Sequence, residues 1–342
     1  MIYFIDFQKT SYINGRRFNA DGKPKADVKR SLLNREGVKV IILNNYGGNS
    51  KLSRYISNLI ILLKIYAYFI SIRKAIVLIQ YPYMIGCIKP ILSYLRKKQN
   101  RIAVLVHDIE SLRTGATASS EKLLLNSDII IVHSTEMANK LKEKGFKGKT
   151  VPLEFFDYYS NIKNNTNVSK TTKNILFAGN LEKSTFLYKL NNAITDPQIT
   201  YLLYGKKNSD LPLSKQIIYK GMFDAEQFSL VEGNWGLVWD GDSIDTCAGP
   251  YGKYLQINAP FKLSLYLAMN IPVIVWNKSA MAKYVKKYHL GICVDNLKEI
   301  STKIDALSEN DLAQIYIGVS KASLDVKQGE KIKSVIQKLE NI

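Results

Sequence analysis

Short runs of apolar and β-branched residues recur along the whole chain, and helical patterns separate them. In the first half the runs occupy residues 2–6, 39–45, 75–82, 101–108 and 128–134, and residues 151–157 form a candidate sixth. In the second half they occupy residues 174–180, 199–205, 216–223, 235–240, 271–277 and 291–294. The runs are almost continuously apolar rather than alternating, which is typical of strands in a parallel sheet covered on both faces.

Amphipathic segments fill the intervals between these strands. In the first half they predict helices at residues 25–36, 52–72, 84–98, 119–126 and 135–145. In the second half they predict helices at residues 184–193, 224–231, 260–270, 279–287, 296–305, 309–325 and 328–342. Because strands and helices alternate, we expect right-handed βαβ units.

A polar stretch divides the chain into two parts. Residues 160–173 are rich in Asn, Thr, Ser and Lys and offer almost nothing to bury, which indicates a linker. The prediction is two doubly wound α/β domains, each Rossmann-like. The N-terminal domain covers residues 1–160, the linker 161–173, the C-terminal domain 174–325, and a last helix at 326–342 packs back on the N-terminal domain. Ligands bind at the carboxyl ends of strands in such sheets, so we expect the functional loops to face a central cleft.

The basic excess of the chain lies almost entirely in its first half. The 342 residues include 48 Lys and Arg against 29 Asp and Glu, a formal net charge of +19. Residues 1–150 hold 26 of the basic residues and 10 of the acidic ones. Such a surface suits nucleic acid, an anionic membrane or an anionic substrate, and a solvated Lys-rich face explains it equally well. Without a zinc finger, an RNP-like aromatic motif or a basic helix, we expect no nucleic-acid partner.

The sequence favours a cytoplasmic location. Its start lacks the basic and apolar regions of a signal peptide, and the most apolar stretch, residues 59–72, is shorter than the roughly 20 residues that span a membrane. Cys87, Cys247 and Cys293 match no disulfide or zinc pattern, which fits a reducing compartment. We expect residues 59–72 to form a buried or interfacial helix. The basic cluster at 96–101 would then allow peripheral contact with anionic lipid at the inner face of the cell membrane.

The connection after the first predicted strand is unusually long. Residues 8–23 include Asn14 and Arg16 and show no periodicity. Long connections of this kind are often functional, and an ordinary surface loop is an equally good interpretation. We assign Asn14 and Arg16 to the acceptor side of the predicted cleft.

A cluster of titratable residues follows the strand at 101–108. His107, Asp108, Glu110 and Arg113 lie where that strand ends, so a histidine, two carboxylates and an arginine could act together as an acid–base group. A structural hydrogen bond between His107 and Asp108 is the alternative. On the functional interpretation Asp108 is the general base, and His107 and Glu110 belong to the acceptor-side loop.

The strand at 174–180 ends in a glycine turn. Gly179 and Asn180 close the strand and Lys183 opens the predicted helix, an arrangement in which backbone amides and a cation can approach a phosphate. The spacing matches neither the dinucleotide-binding fingerprint nor a P-loop.

The loop at 239–254 is the most distinctive segment of the chain. It combines three carboxylates with glycines, two tyrosines and a lysine, and its candidate ligand-binding residues are Asp240, Asp242, Asp245, Tyr251 and Lys253. An EF-hand requires oxygen ligands at alternate positions and a glutamate at the twelfth, and this spacing fails. Asp240 and Asp242 form the Asp-x-Asp pattern of metal–nucleotide sites in single-domain sugar transferases, but the two-domain architecture argues against that use. We therefore predict no metal and interpret the loop as a binder of sugar hydroxyl groups.

A helix start follows this loop. Asn258 is suited to be the N-cap and Pro260 to the first turn, which places Lys262 at the mouth of the helix. A helix N-terminus with a nearby lysine suits a diphosphate, and an ordinary amphipathic helix before a buried strand fits the same residues.

Several of these segments resemble the GT-B glycosyltransferases. The helix that leads into Ile271-Pro272-Val273-Ile274 resembles their C-terminal signature, although Asn270 replaces the usual glycine and Leu265 stands where larger retaining families carry a glutamate. The motifs at 107–113, 176–187, 236–268 and 271–276 resemble one bacterial group more closely. That group contains the glucosyltransferases that extend O-linked GlcNAc on serine-rich-repeat adhesins and related galactofuranosyltransferases of surface-polysaccharide loci.

The resemblance implies a UDP-sugar-dependent hexosyltransferase without a metal or other cofactor. The C-terminal domain would hold the UDP-sugar, with Lys183 and Lys262 at the diphosphate, Gly221, Met222 and Phe223 near the uracil, and residues 240–253 around the sugar. The N-terminal domain would hold a saccharide acceptor on a protein or lipid carrier, and the group suggests a homo-oligomer. The alternative is a non-catalytic GT-B-like subunit that binds or stabilises another glycosyltransferase. The intact run at 239–246 and both lysines favour the enzyme.

Overall fold

The computed structural model describes residues 1–9, 22–45, 50–83, 85–116, 119–161, 171–208, 210–224 and 231–342. The chain folds into two compact units. The first unit contains the first strand, Lys25–Leu153 and Ile332–Ile342, and the second contains residues 22–24 and Glu154–Lys331. Most of the predicted linker, residues 162–170, lies outside the described residues.

The first unit is built on a six-stranded parallel sheet. Its strands are β1 (Ile2–Lys9), β2 (Val38–Asn45), β3 (Ile76–Tyr81), β4 (Arg101–Val106), β5 (Ile129–Val132) and β6 (Lys149–Pro152). They lie in the order β2-β1-β3-β4-β5-β6. Every residue of β3 and β5 is buried, which is why their sequences read as continuous apolar runs. The predicted parallel sheet is therefore confirmed.

The last strand of this sheet is shorter than the pattern predicts. β6 ends at Pro152, whereas the apolar run continues to residue 157. Pro152 has no N–H group, and Glu154 has a φ of +73°, so the ladder cannot continue through this segment.

Helices cover the first sheet in the expected alternation. They are α1 (Lys23–Leu32), α2 (Lys51–Tyr68), α3 (Ile88–Lys97), α4 (Glu110–Arg113), α5 (Glu121–Leu125) and α6 (Thr135–Glu143). Serine caps define two of the starts, because the hydroxyls of Ser50 and Ser134 accept hydrogen bonds from the N–H groups of Ser53 and Met137.

The second unit repeats the architecture with its own six-stranded parallel sheet. The strands are β7 (Lys173–Ala178), β8 (Ile199–Tyr204), β9 (Ile217–Gly221), β10 (Trp235–Val238), β11 (Val273–Trp276) and β12 (Gly291–Val294). Their order is β12-β11-β10-β7-β8-β9. All strands are parallel, but β8 and β9 are added on one side of β7 and β10 to β12 on the other, so the strand order switches between β7 and β10. Ligands of open α/β sheets bind outside the carboxyl ends of the strands at such a switch point.

The remaining helices follow these strands. They are α7 (Gly249–Tyr254), α8 (Phe261–Ala268), α9 (Ala282–Tyr288), α10 (Ile300–Asp305), α11 (Glu309–Gln328) and α12 (Glu330–Glu340). The helix predicted at 184–193 is a 3₁₀ helix, Thr185–Ala193, and most of the one predicted at 224–231 lies outside the described residues. α11 begins with a capping box of Ser308 and Asp311. No helix in the described ranges is long and apolar enough to cross a membrane.

Candidate functional site

The loops after β7 and β10 meet at the switch point of the second sheet. We call residues 179–184 the β7 loop and residues 239–248 the β10 loop. The N–H group of Phe186 donates to the carbonyl oxygen of Gly241 at 3.1 Å, and Nζ of Lys189 donates to the carbonyl oxygen of Asp242 at 2.9 Å. The segment after β7 is thus tied to the β10 loop by hydrogen bonds to its backbone.

The side chain of Asn180 organises the β7 loop. Its Oδ1 accepts hydrogen bonds from the N–H groups of Glu182 at 3.0 Å and of Lys183 at 3.3 Å. The hydroxyl of Ser184 donates to the carbonyl oxygen of Asn180 at 3.1 Å. The Asn180 amide oxygen is therefore used to fold the loop. Lys183 is exposed, and its ammonium has no partner among the described residues.

Glycines bring the carboxyl ends of three neighbouring strands close together. A Cβ atom at Gly205 would lie 1.7 Å from the carbonyl oxygen of Gly179, so no other residue fits there. The N–H group of Gly205 donates in turn to the carbonyl oxygen of Gly221 at 2.9 Å. Gly179 and Gly221 thus lie in one row across β7, β8 and β9.

The two residues that follow Gly221, Met222 and Phe223, are predicted to lie near the uracil. Met222 is 54% exposed, and the ring of Phe223 contacts that of Tyr204 edge to face, with 6.0 Å between centroids. An exposed thioether and an anchored aromatic ring form an apolar surface at the end of β9, two strands from β7.

The β10 loop folds tightly on itself. Gly241 has a φ of +101°, and a Cβ atom there would lie 2.0 Å from the carbonyl oxygen of Ala248. The indole of Trp239 is fully buried and donates to the carbonyl oxygen of Ser243 at 2.9 Å. Oδ1 of Asp240 accepts a hydrogen bond from the N–H group of Gly241 at 3.0 Å. These contacts fix the Asp240 carboxylate by backbone geometry.

Lys262 is the central cation of the site. Its Nζ donates to the carbonyl oxygen of Trp239 at 3.0 Å and lies 3.9 Å from Oδ2 of Asp240. It also lies 4.4 Å from the ring centroid of Phe177. The Lys262 side chain is only 14% exposed, and this burial lowers its pKa, while the charge of Asp240 acts in the opposite direction.

The start of α8 differs from the prediction. Pro260, rather than Asn258, is the N-cap residue, and no side chain caps the first turn. The N–H group of Asn258 donates to the carbonyl oxygen of Tyr254, so Asn258 belongs to the turn that ends α7. Asn258 is buried, and its Oδ1 has no hydrogen-bond partner within the described residues. The N–H group of Leu263 donates to the carbonyl oxygen of Pro260 at 3.0 Å, and the two N–H groups before it in α8 are left for solvent or a ligand.

The other candidates in the segment after β10 are more exposed. Asp242 and Lys253 are exposed and Tyr251 is half-buried. The carboxylate of Asp245 forms an ion pair with Lys298 at 3.0 Å, so it serves at least a structural role. The sequence does not predict α7, because its six residues include Gly249, Pro250 and Gly252.

The acid–base cluster of the first unit lies after β4, and its carboxylates share one cation. Oδ2 of Asp108 lies 3.4 Å from Nη1 of Arg113, and the carboxylate of Glu110 contacts Nη2 of the same guanidinium. Asp108 and Glu110 are both partly exposed. Asn14 and Arg16 lie outside the described residues, so their predicted place on the acceptor side has no structural counterpart here.

His107 is neutral at physiological pH. Burial lowers its pKa well below the ordinary value, and the charge of Lys25 adds to this effect. Its Nε2 donates to Oε1 of Gln80 at 2.7 Å, and Nε2 of Gln80 donates to the carbonyl oxygen of Lys25 at 3.4 Å. Sequence reasoning included Arg113 in this cluster but did not identify Gln80 or Lys25. A signal was available for Gln80, which is a polar residue inside an apolar strand.

Within the described ranges, no three His, Cys, Asp or Glu side chains lie where they could hold a metal ion. The three cysteines are free. Burial raises the pKa of the Cys247 thiol, in the β10 loop, to about 12, which leaves it protonated.

Comparison with known proteins identifies the family. Residues 9–155 match the N-terminal domain model of the glucosyltransferase 3-like proteins, and residues 175–339 match their C-terminal domain model. The two matches lie on either side of the polar stretch that separates the halves of the sequence.

Curated relatives extend over most of the chain. The β-1,6-galactofuranosyltransferase WbbI of Escherichia coli K12 is 30% identical over 337 residues, which is 96% of each chain. Glucosyltransferase 3 of Streptococcus gordonii is 24% identical over 252 residues, 72% of each chain. Among solved structures, Anabaena HepE in complex with UDP and glucose superposes with a TM-score of 0.56 at 13% identity, covering 99% of this chain and 98% of HepE. The chain therefore belongs to the glucosyltransferase 3-like family of GT-B glycosyltransferases.

Proposed function

We propose that this glycosyltransferase moves a hexose from a UDP-sugar to a hydroxyl group of a saccharide acceptor. Glucose and galactofuranose are the favoured sugars, since relatives are named as glucosyltransferase and galactofuranosyltransferase and HepE was solved with UDP and glucose. The second unit would bind the donor and the first unit the acceptor. The observation that carries the proposal is Lys262, a buried cation beside an uncapped helix start at a switch point.

The surroundings of Lys262 suit a diphosphate. A buried ammonium needs an anionic partner, and the nearest carboxylate oxygen, on Asp240, lies 3.9 Å away, beyond hydrogen-bond distance. The first N–H groups of α8 add positive potential at its N-terminus. Lys183, on the β7 loop, supplies a second cation that is not engaged within the described part of the chain.

The donor would extend from these cations in two directions. The exposed Met222 and the anchored Phe223, with Gly221, offer an apolar surface for the uracil. Asp240, Asp242, Asp245, Tyr251 and Lys253 offer hydrogen-bonding groups for the sugar. Phe186, just after the β7 loop, is hydrogen-bonded to Gly241, and Gly205 contacts both Gly179 and Gly221, so these backbone contacts would hold the two binding surfaces at a fixed distance from each other.

The transfer step follows from these assignments. The acceptor oxygen forms a bond with the anomeric carbon, and the bond between that carbon and the UDP oxygen breaks, with its electron pair leaving on UDP. Lys183 and Lys262 stabilise the negative charge on UDP. A base removes the hydroxyl proton. We propose Asp108 for this role, with His107 as the second candidate, since a neutral imidazole that donates at Nε2 carries its lone pair on Nδ1.

The proposal includes no metal. Transfer by the purified protein should be unchanged by EDTA and unaffected by added Mg²⁺ or Mn²⁺. Loss of transfer in EDTA that Mn²⁺ restores would show that the enzyme needs a cation for UDP departure.

The enzyme would act in the cytoplasm, at the inner face of the cell membrane, on an acceptor carried by protein or lipid. It would work as a homo-oligomer, as the resemblance to the adhesin glucosyltransferases implies. Sedimentation velocity on the purified protein measures its assembly state.

Calorimetric titration tests the central assignment. UDP should bind the wild-type protein, and Lys262→Ala should weaken binding by about tenfold to a hundredfold, the range for a charge-assisted hydrogen bond. The matched control is Lys321→Ala, which removes an exposed lysine from α11 and should leave UDP affinity unchanged. Equal UDP affinity in the wild type and Lys262→Ala would overturn the site.

Mass spectrometry of products then separates enzyme from partner subunit. The purified protein is incubated with UDP-glucose, UDP-galactofuranose, UDP-galactose or UDP-GlcNAc and with candidate saccharide acceptors. Transfer by this chain alone supports the proposal. If the protein binds a donor but neither transfers nor hydrolyses it under any condition, the result would indicate the non-catalytic alternative.

A further inference from the structure

Helix α2 buries only a narrow strip of its surface. Its buried residues are Ser57, Ile61 and Ile65, which follow one another at intervals of four and so form one line along the helix. The helix packs by this line against β2 and α3. β2 is an edge strand of the first sheet, so α2 covers the margin of the unit.

The opposite side of α2 is apolar and exposed. Leu52 is 68% exposed, Leu63 58%, and Ile70, just past the helix end, 66%. The exposed apolar residues recur every three or four positions, which places them on one helix face. We call this set the α2 face; it comprises Leu52, Tyr55, Ile56, Leu59, Leu63, Tyr66 and Ile70. Seven exposed apolar residues on one helix face indicate an interaction site, because surface apolar residues are ordinarily scattered singly.

Basic residues lie along the helix that carries the α2 face and directly after it. Lys51, Arg54 and Lys64 are exposed on the helix, and Arg73 and Lys74 follow it. None of these five side chains pairs with a carboxylate in the part of the chain that is described. Residues 37–107 contain no Asp or Glu at all. The apolar face therefore lies within a strongly positive surface.

The C-terminal end of α2 is held beside further basic residues. Nζ of Lys98 donates to the carbonyl oxygen of Ile70 at 2.8 Å, and the hydroxyl of Tyr94 donates to the backbone carbonyl oxygen of Tyr66 at 2.9 Å. The rings of Tyr66 and Tyr94 lie 4.3 Å apart. The end of α3, with Arg96 and Lys97, thus joins the same surface. Tyrosines at its margin suit a boundary between apolar and aqueous surroundings.

We propose that the α2 face inserts into the headgroup region of a bilayer that contains anionic lipids. The combination of an apolar face, aromatic residues and unpaired Lys and Arg is the composition of helices that lie in a membrane surface without crossing it. This inference concerns the location of the protein, and it holds or fails independently of the transfer reaction.

Charge decides between a bilayer and a second copy of the chain. In a two-fold dimer the same patch meets itself, so the basic residues around one α2 face would approach those of the other. Because residues 37–107 contain no Asp or Glu, the segments that form this surface supply no carboxylate to compensate the positive charge of such a contact. Anionic lipid headgroups supply that compensation.

Co-sedimentation with vesicles tests the inference without any donor sugar. The full-length protein should bind phosphatidylcholine vesicles that contain phosphatidylglycerol, bind pure phosphatidylcholine weakly, and dissociate as the salt concentration rises. Absence of binding to the anionic vesicles, or binding that does not depend on anionic lipid, would overturn it.

Matched variants locate the contact. Leu59→Gln and Leu63→Gln should each reduce vesicle binding by about tenfold or more, and Lys64→Gln by about fivefold. Leu324→Gln and Lys321→Gln change exposed residues on α11 and should have no effect. Unchanged circular dichroism melting confirms that each variant folds. If Leu63→Gln instead lowers the mass in sedimentation velocity and leaves vesicle binding intact, the face is a contact between copies and the proposal is wrong.

Discussion

The two units present polar loops at the carboxyl ends of similar sheets, yet the charges in these loops are balanced in opposite ways. In the second unit the cation Lys262 is held by a carbonyl oxygen and approached by one carboxylate at 3.9 Å. In the first unit two carboxylates, Asp108 and Glu110, share the single guanidinium of Arg113. One site therefore has positive charge that can attract an anion, and the other has negative charge that can accept a proton.

The comparison teaches that a shared fold does not dictate what its loops bind. Both sheets are parallel and have six strands, so their carboxyl ends provide equivalent positions. The difference comes from a few side chains and from how tightly the backbone holds them. Gly205 and Gly241 fix the second site by close backbone contacts, whereas ion pairs between side chains organise the first.

The largest effect is expected at the proposed base. Asp108→Asn should lower kcat by about a hundredfold to ten-thousandfold, the usual range for removing a general base, without changing UDP affinity. His107→Gln, measured in parallel, should cost less than about tenfold if Asp108 is the base. Steady-state kinetics with a fixed acceptor distinguishes the two. A large loss in His107→Gln with a small loss in Asp108→Asn would transfer the role to His107.

Acid should destabilise the two units in different pH ranges. Burial lowers the pKa of His133 in the first unit to about 4. The unfolded chain binds this proton below about pH 6.5 and the folded chain does not, so stability falls between pH 6.5 and 4, by about 3 kcal/mol at the lower limit. His107 contributes in the same direction.

In the second unit, hydrogen bonds from Lys173 and Ser301 lower the pKa of Asp196 to about 2. Its contribution is complete above pH 4 and disappears as the pH falls towards 2. Hydrogen exchange of amides in β4 and β10, followed from pH 7 to 3, measures the two units separately. Simultaneous loss of protection in both between pH 6.5 and 5 would contradict this separation.

A smaller effect is expected at Lys183. Because this lysine is exposed, Lys183→Ala should weaken UDP binding by only about threefold in low salt, and the loss should nearly vanish in high salt. The loss in Lys262→Ala should persist, since a buried charge is poorly screened. Calorimetry at two salt concentrations makes the comparison. If salt changes the loss of UDP affinity equally in Lys183→Ala and Lys262→Ala, the two lysines are equally exposed to solvent.

An equally small effect is expected at Asp240, and its sign is informative. Asp240→Asn keeps an oxygen for the N–H group of Gly241 but removes the carboxylate next to Lys262. UDP should therefore bind about threefold more tightly, since less of the Lys262 charge is compensated. UDP-sugar should gain less or lose affinity, because Asp240 is proposed to bind the sugar. A tenfold loss of UDP affinity would show that Asp240 instead positions Lys262.

The parallel sheets could be predicted because a strand that is buried on both faces has a continuously apolar sequence. β3 and β5 have no exposed residue, and a continuous apolar run of this length is typical of a strand buried on both faces. The loops of the candidate site could be located along the chain for the same reason, because they lie where those runs stop. Element boundaries were less predictable where backbone chemistry intervenes, as at Pro152 and Glu154.

The geometry of the site could not be predicted, because it depends on contacts distant in sequence. Nothing near Lys262 in the chain indicates that its ammonium reaches Trp239 or that Phe177 lies beneath it. The sequence made Asn258 a plausible cap, but the end of α7 uses its N–H group. The sequence at 59–72 fitted a buried helix and an interfacial helix equally well. Only the structure shows that α2 buries a narrow strip and exposes most of its surface.

The last helix has a consequence for how the protein is made. Ile332–Ile342 belong to the first unit, although residues Glu154–Lys331 of the second unit separate them in sequence from its sheet. Ile332, Val335, Ile336 and Leu339 of α12 are buried, and Nζ of Lys338 donates to the carbonyl oxygen of Pro152. The first unit therefore cannot complete its core until the last residues of the chain have been made. Shortening the chain from its C-terminal end is expected to damage the N-terminal unit.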